Sequence, residues 1–214
     1  LAIGNSARPT YEMLHRRGVA LEAKPFAIGV RIEHPQELID RAQYGDLAGH
    51  PALGAADYAL VYHDKPKGRT AYSFCMCPGG QVVAAASETS GVVTNGMSLH
   101  ARASGTANSA LVVNVNPIDC GSHPLSTIAF QRHWEQLAFT TGGKSYYAPV
   151  QTVGDFLAGR SGSSAFASPP TYSPGVQAAD LRDCLPPFVT DTIAQALPDF
   201  GRKIKGFDSS GAVL

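Results

Sequence analysis

The sequence predicts an α+β fold, a mostly antiparallel sheet with helices along its flanks. Three observations predict it. Strand-forming runs separated by Gly- and Pro-bearing turns crowd into residues 56–115, and short successive connections favour antiparallel pairing. Apolar residues at helical spacing lie outside that block, near 9–17, 36–44, 123–139 and 180–197. Apolar residues make up 44% of the 214, enough for a sizeable core.

Taken in order, Leu1-Ala2-Ile3-Gly4 reads as the tip of a buried strand, and Asn5 and Ser6 are capping types. A helix follows from about Pro9 to Arg17, with Pro in its first turn and Gly18 as its stop. A strand tip, a glycine turn and a helix N-terminus fit two readings. One is an ordinary connection, which local sequence favours; the other is a phosphate or cofactor contact. Residues 24–33 alternate as a strand, with Phe26, Ile28, Val30 and Ile32 on one face. Arg31 and Glu33 share the other face, either as a solvated ion pair or facing a ligand. Pro35 introduces a short helix, 36–44, which Gly45 ends.

Residues 57–63 alternate as a further strand, and Lys65-Pro66-Lys67-Gly68 turns into the centre of the chain. There Thr70–Met76 and Gln81–Ala86 flank Pro78-Gly79-Gly80. Proline fixes φ and the glycines admit positive φ, so the stretch reads as a hairpin whose bare backbone another molecule could approach. Cys75 and Cys77, two apart, are expected on one strand face. The segment 88–98 is polar and glycine-bearing, suited to a binding loop, and Asn108–Asn114 is another strand. The longest helix is expected over 123–139, with Ile128, Phe130, Trp134, Leu137 and Ala138 as its apolar stripe. Residues 147–157 read as a compact turn followed by a short helix. Residues 159–174 read as a Ser-, Gly- and Pro-rich loop, helices at 180–185 and 188–197 are parted by Pro186-Pro187, and Phe207–Gly211 turns into a last strand. The chain lacks an initial Met and both ends are apolar, so the sequence reads as a piece of a longer protein.

Composition narrows the chemistry. Seventeen basic and seventeen acidic residues cancel, which removes the electrostatic footprint of a nucleic-acid binder. No run of 18 apolar residues predicts a membrane span. Charged residues are only 16%, a poverty that suits a surface continuing into a partner or another domain. Cys75, Cys77, Cys120 and Cys184 match neither a zinc ribbon nor a secreted disulfide scaffold, so reduced thiols and a cytoplasmic setting are the default, and no metal site is expected. His34, His50 and His123 each precede proline and read as turn or cap residues. No dinucleotide fingerprint, P-loop or G-x-S-x-G elbow is present. A thiol-redox role for Cys75 and Cys77 stays open, although a disulfide between them closes a tight, strained loop. So does a non-catalytic ligand-binding or interaction domain.

Several blocks carry a likeness. Gly4-Asn5-Ser6-Ala7-Arg8, residues 24–35, Phe74-Cys75-Met76-Cys77-Pro78-Gly79-Gly80, Val92-Val93-Thr94-Asn95-Gly96-Met97 and residues 149–156 resemble, in the same order, a family of bacterial FAD-dependent dehydrogenases described as NAD(FAD)-utilising. The resemblance implies a parent about twice as long, with the glycine-rich ADP-binding turn upstream and a second flavin-contacting segment downstream. It implies three parts: 1–23 as the end of an FAD-binding domain, 24–157 as a β-rich substrate domain, and 158–214 as a segment returning toward the FAD domain. Remnants of the α/β FAD/NAD(P)-binding domain would then lie at both ends. It further implies FAD contacts at Gly4, Asn5, Ser6 and Arg8. Pro78, Gly79, Gly80, Asn95 and Gly96 are candidates for the flavin or substrate face. Arg31 is the candidate anchor for an anionic small-molecule substrate, NAD(P)H is a possible electron donor, and no residue is assigned a catalytic role. The partners expected are that substrate and the remainder of the parent chain. Purified alone, the chain is expected to retain no FAD and to be inactive.

Overall fold

The computed structural model describes residues 3–4 and 6–214. Its elements run α1 (Arg8–Arg16), β1 (Phe26–Pro35), α2 (Gln36–Tyr44), β2 (Val61–Asp64), β3 (Arg69–Cys77), β4 (Gly80–Ala84), β5 (Thr94–Ser98), β6 (Thr106–Val115), α3 (Pro117–Cys120), α4 (Ser126–Thr141), β7 (Ala148–Val150), α5 (Val153–Ala158), β8 (Val176–Ala178) and α6 (Pro187–Lys203). The class is α+β. A four-stranded sheet in the order β1-β6-β3-β2 is antiparallel throughout, β4 and β5 form a second antiparallel pair, and β7 and β8 a short parallel one. Among the described residues no helix is long and apolar enough to cross a membrane.

The core forms where α6 lies against the large sheet. Val189, Ile193, Ala196, Leu197 and Phe200 recur at helical spacing and are buried with Ile32, Leu111, Val113, Phe156 and Phe207. The sequence reading ended this helix at 197, yet α6 runs on through Pro198 to Lys203. Proline removes one N–H from the ladder. Burial of Leu197 and Phe200 on either side outweighs that loss, each worth about 2 kcal/mol by area. The expected helix at 180–185 is a single 3-10 turn, Leu181–Asp183. The last strand is reduced to Val213, which bridges both Glu33 and Thr152.

Two local expectations fail at the centre. Pro78-Gly79-Gly80 does not close a hairpin, because β3 pairs with β2 and β6 while β4 pairs with β5. The reason is a bulge: the β3–β6 register shifts between Phe74 and Cys77, and Cys75 takes φ +48. The strand is thereby turned out of the large sheet, and Gly79, at φ +51, completes a buried corner. The same bulge breaks the alternation, so Cys75 is exposed and Cys77 buried, unlike two residues on one face of a regular strand.

Candidate functional site

A cleft of about 420 Å3 opens between the outer face of β1, helix α4 and the small β7–β8 sheet. Its walls are mostly apolar, with Ile28, Val92, Ala110, Trp134, Val150 and Leu185 among them. Arg31, Glu33, Gln131 and Glu135 are the polar side chains with most bearing on its chemistry. Apolar walls with a few convergent polar groups are the usual make-up of a small-molecule site. The indole Nε1–H of Trp134 is buried and has no hydrogen-bond partner among the described residues. A buried donor without an acceptor costs about 1–3 kcal/mol, so an acceptor placed there would be held.

Arg31 is 7% exposed, so it is not part of a solvated ion pair, one of the two readings of this strand. Its Nε donates to Asn108 Oδ1 at 3.1 Å, and its Nη2 donates to that same oxygen, to the Cys75 carbonyl at 3.1 Å and to Cys77 Sγ at 3.6 Å. Every one of these acceptors is uncharged. Nη1 has no acceptor among the described residues. Glu33, also buried, takes the Thr171 N–H at 3.1 Å and the Thr171 hydroxyl. Burial pushes its carboxyl above the usual range, while the Thr171 bonds and the Arg31 charge pull the other way. Thr171 Oγ1 also accepts from the Val82 N–H at 2.8 Å, so one hydroxyl ties β4 to β1.

Gly96, a sequence candidate, lies against Arg31: a Cβ there would fall 1.8 Å from Nη2 and 2.4 Å from Asn108 Oδ1. Arg31, Cys77, Gly96 and Asn108 therefore form one buried cluster. Tyr58 and Ser109 stand beside it, their hydroxyls 2.8 Å apart. Asn95 is exposed beside Gly96. The approach expected at Pro78-Gly79-Gly80 is already taken. A Cβ on Gly79 would meet the Arg102 carbonyl at 1.7 Å, one on Gly80 the Met97 carbonyl at 2.5 Å, and the Gly79 N–H donates to Gln36 Oε1 at 2.7 Å. These glycines have no open cradle for a pyrophosphate, so they do not fit that part of FAD.

The N-terminal candidates lie elsewhere. Gly4 has φ +73 with open space around it, Ser6 is exposed, and Asn5 is outside the described residues. Arg8 is engaged by its own chain. It donates to Glu135 at 2.6 and 2.8 Å, to Gln131 at 2.9 Å and to Glu88 at 3.2 Å. Arg132 completes the network by pairing with Glu88 at 2.8 Å and Glu12 at 3.0 Å. The Arg132 and Arg8 guanidiniums hold the Glu88 carboxyl down at about 2. The network fastens α1 onto α4, one wall of the cleft.

Sequence reasoning missed Asn108, Trp134, Glu135 and Thr171 as site residues. Asn108 carried a signal: it opens a strand whose other members, Leu111 and Val113, are core residues. Thr171 gave none, since it sits in a loop with no period.

Two comparisons with known proteins bear on the site. The family model described as "FAD-dependent protein, C-terminal domain-like" matches residues 25–214. An uncharacterized protein of Clostridium beijerinckii is 54% identical over 215 residues, an alignment that covers the whole of this chain and 40% of that protein.

Proposed function

Since the chain belongs to the FAD-dependent protein, C-terminal domain-like family, we propose that it is the substrate-side domain of a flavin-dependent oxidoreductase, a dehydrogenase whose FAD is gripped by a further part of a longer chain. In this reading the cleft receives the substrate. The observation that carries it is Arg31, a buried cation in the cleft wall whose hydrogen-bond acceptors among the described residues are all neutral, the Glu33 charge acting on it only through space. A buried charge is stable only when paired. An anionic group on the substrate, placed at Nη1, supplies that pairing, and the apolar walls hold its body.

FAD, when bound, supplies the hydride chemistry, and NAD(P)H is the proposed electron donor. What this chain's residues do is bind, orient and exclude water. Gly4 and Ser6 remain the proposed edge toward FAD, with Arg8 fastening the helix behind them. Pro78, Gly79, Gly80 and Gly96 act by shaping the backbone around Arg31, and Asn95 lies at the rim. The division into 1–23, 24–157 and 158–214 is part of the same proposal.

The test uses the full-length protein, purified with its flavin. A panel of small apolar carboxylates is titrated against it and the flavin absorbance followed. At least one is expected to perturb the spectrum at saturation. Arg31→Lys and Arg31→Ala are expected to keep stoichiometric FAD and to lose most of that response. Full-length protein without flavin, or an Arg31→Ala protein that responds as the wild type does, overturns the reading.

A further inference from the structure

The cysteine pair beside this cluster has a chemistry of its own. In a regular strand residues two apart are separated by about 6.7 Å at Cα, the far end of what a disulfide spans. Cys75 interrupts that extension, because its φ of +48 lies in the left-handed region that side chains rarely adopt. Cys75 is exposed and Cys77 is 7% exposed. The Cys77 thiol folds back to donate to the Cys75 carbonyl at 3.3 Å. Arg31 Nη2 touches both residues, lying 3.1 Å from that carbonyl and 3.6 Å from Cys77 Sγ. Burial is the largest push on the Cys77 thiol, upward; Arg31 opposes it and Cys75 adds to it.

We propose that Cys75 and Cys77 form a reversible intrachain disulfide by exchange with a small-molecule disulfide, Cys75 being the entry thiol and Arg31 the group that stabilises Cys77 as a leaving thiolate. The steps balance. The Cys75 thiolate attacks one sulfur of the incoming disulfide, forming a mixed disulfide and releasing one small thiolate. The Cys77 sulfur, giving up its proton to solvent, then attacks Cys75 Sγ and expels the second small thiolate. One small disulfide is reduced to two thiols and the Cys75–Cys77 bond is formed. Reduction runs the same path backward: an external thiolate reaches exposed Cys75, and Cys77 departs as a thiolate against the guanidinium. A lower-energy leaving thiolate departs faster. The tight loop strains the bond, and strained disulfides are the readily reduced, regulatory kind.

The other two cysteines are set apart from this role. Burial, helped by Asp119, pushes the Cys120 thiol up, and burial with Asp183 and Asp180 pushes Cys184 up to about 12. The proposal stands apart from the flavin reading, since neither exchange step involves FAD.

Trypsin releases a peptide spanning 70–102 that contains Cys75, Cys77 and no other cysteine. The full-length protein is equilibrated with graded ratios of reduced to oxidised glutathione, quenched in acid, alkylated and digested. As the ratio falls, this peptide is expected to shift from doubly alkylated to unalkylated and lighter by two hydrogens than the free dithiol, and to revert with dithiothreitol. Cys75→Ser and Cys77→Ser abolish the shift, and Cys120→Ser leaves it intact. In Arg31→Lys the dithiothreitol reduction slows severalfold. A peptide that stays fully alkylated at every ratio, or one that carries only glutathione on Cys75, overturns the proposal. Reduction of Arg31→Lys at the wild-type rate overturns the part given to Arg31.

Discussion

The Arg31 guanidinium occupies the space that a side chain on Gly96 would need, with Nη2 1.8 Å from the ideal Cβ position. The glycine is thus a requirement of the arginine's placement. Gly96→Ala must push the guanidinium off Asn108 and Cys77 or move β5. Overpacking of this kind costs about 1–3 kcal/mol. Urea unfolding of the variant is expected to show a lower midpoint with an unchanged slope; a wild-type midpoint refutes the crowding.

The corner at Gly79 is tighter still. Its φ of +51 suits glycine, and the Arg102 carbonyl lies 1.7 Å from where a Cβ would be. Gly79→Ala therefore combines backbone strain with a clash against backbone, which cannot swing aside as a side chain tip can. A loss of about 3 kcal/mol or more is expected, near the limit of what a marginally stable domain survives. Soluble yield and thermal melting check it.

His34 makes stability depend on pH. It is 1% exposed, its Nε2 is bonded to the Phe207 carbonyl at 2.7 Å, and burial lowers its pKa to about 4 from 6.5. The folded state therefore binds its proton more weakly than the unfolded chain does. The sign follows: stability is complete above pH 6.5 and falls as pH drops from 6.5 toward 4, by about 3 kcal/mol in all. Denaturant titrations at pH 7 and pH 4.5 are expected to show most of this loss. In His34→Gln the component of the slope between those values disappears.

The ion-pair network responds at lower pH. Glu88 is held at about 2 against an ordinary 4.5 by Arg132 and Arg8. Its contribution is present above 4.5 and lost as pH falls toward 2. Arg8→Ala removes three of the contacts that fasten α1 to α4. Amide exchange in α1 is expected to rise in that variant at neutral pH, with the large sheet still protected. Equal protection of α1 in both proteins contradicts the role given to Arg8.

How far the sequence could be read depended on whether a feature was local. The period-two run of β1, the strand at β6 and the stripe of α4 are local patterns, and the structure has all three. Cys75 and Cys77 were misread because a bulge is decided by the partner strand, and nothing within 74–77 announces that β6 pairs Cys77 with Asn108. The run of α6 past 197 was not legible because the burial that carries it through Pro198 comes from Phe207, Ile32 and Leu111, all outside that turn of helix. Within the site, Arg31 stood out as a charge on a small-residue face. The neutral partners that make it distinctive, Asn108 and the Cys75 carbonyl, arrive through pairings of β1 and β3 with β6 that no single segment encodes. Gly79 takes the positive φ that the sequence reading allowed it and Gly80 does not, and the atoms crowding glycines 79, 80 and 96 belong to this chain itself.

Val213 bridges Glu33 on the outer edge of β1 and Thr152 ahead of α5. During synthesis β1 leaves the ribosome well before the residue that bridges its edge, which lies almost two hundred positions further along the chain. Until then the nascent sheet offers unpaired N–H and C=O groups to any neighbouring chain, so the edge of β1 is protected only once Val213 has been made. Premature termination just short of Val213 would remove Val213 and Leu214 from the core and leave the β1 edge open.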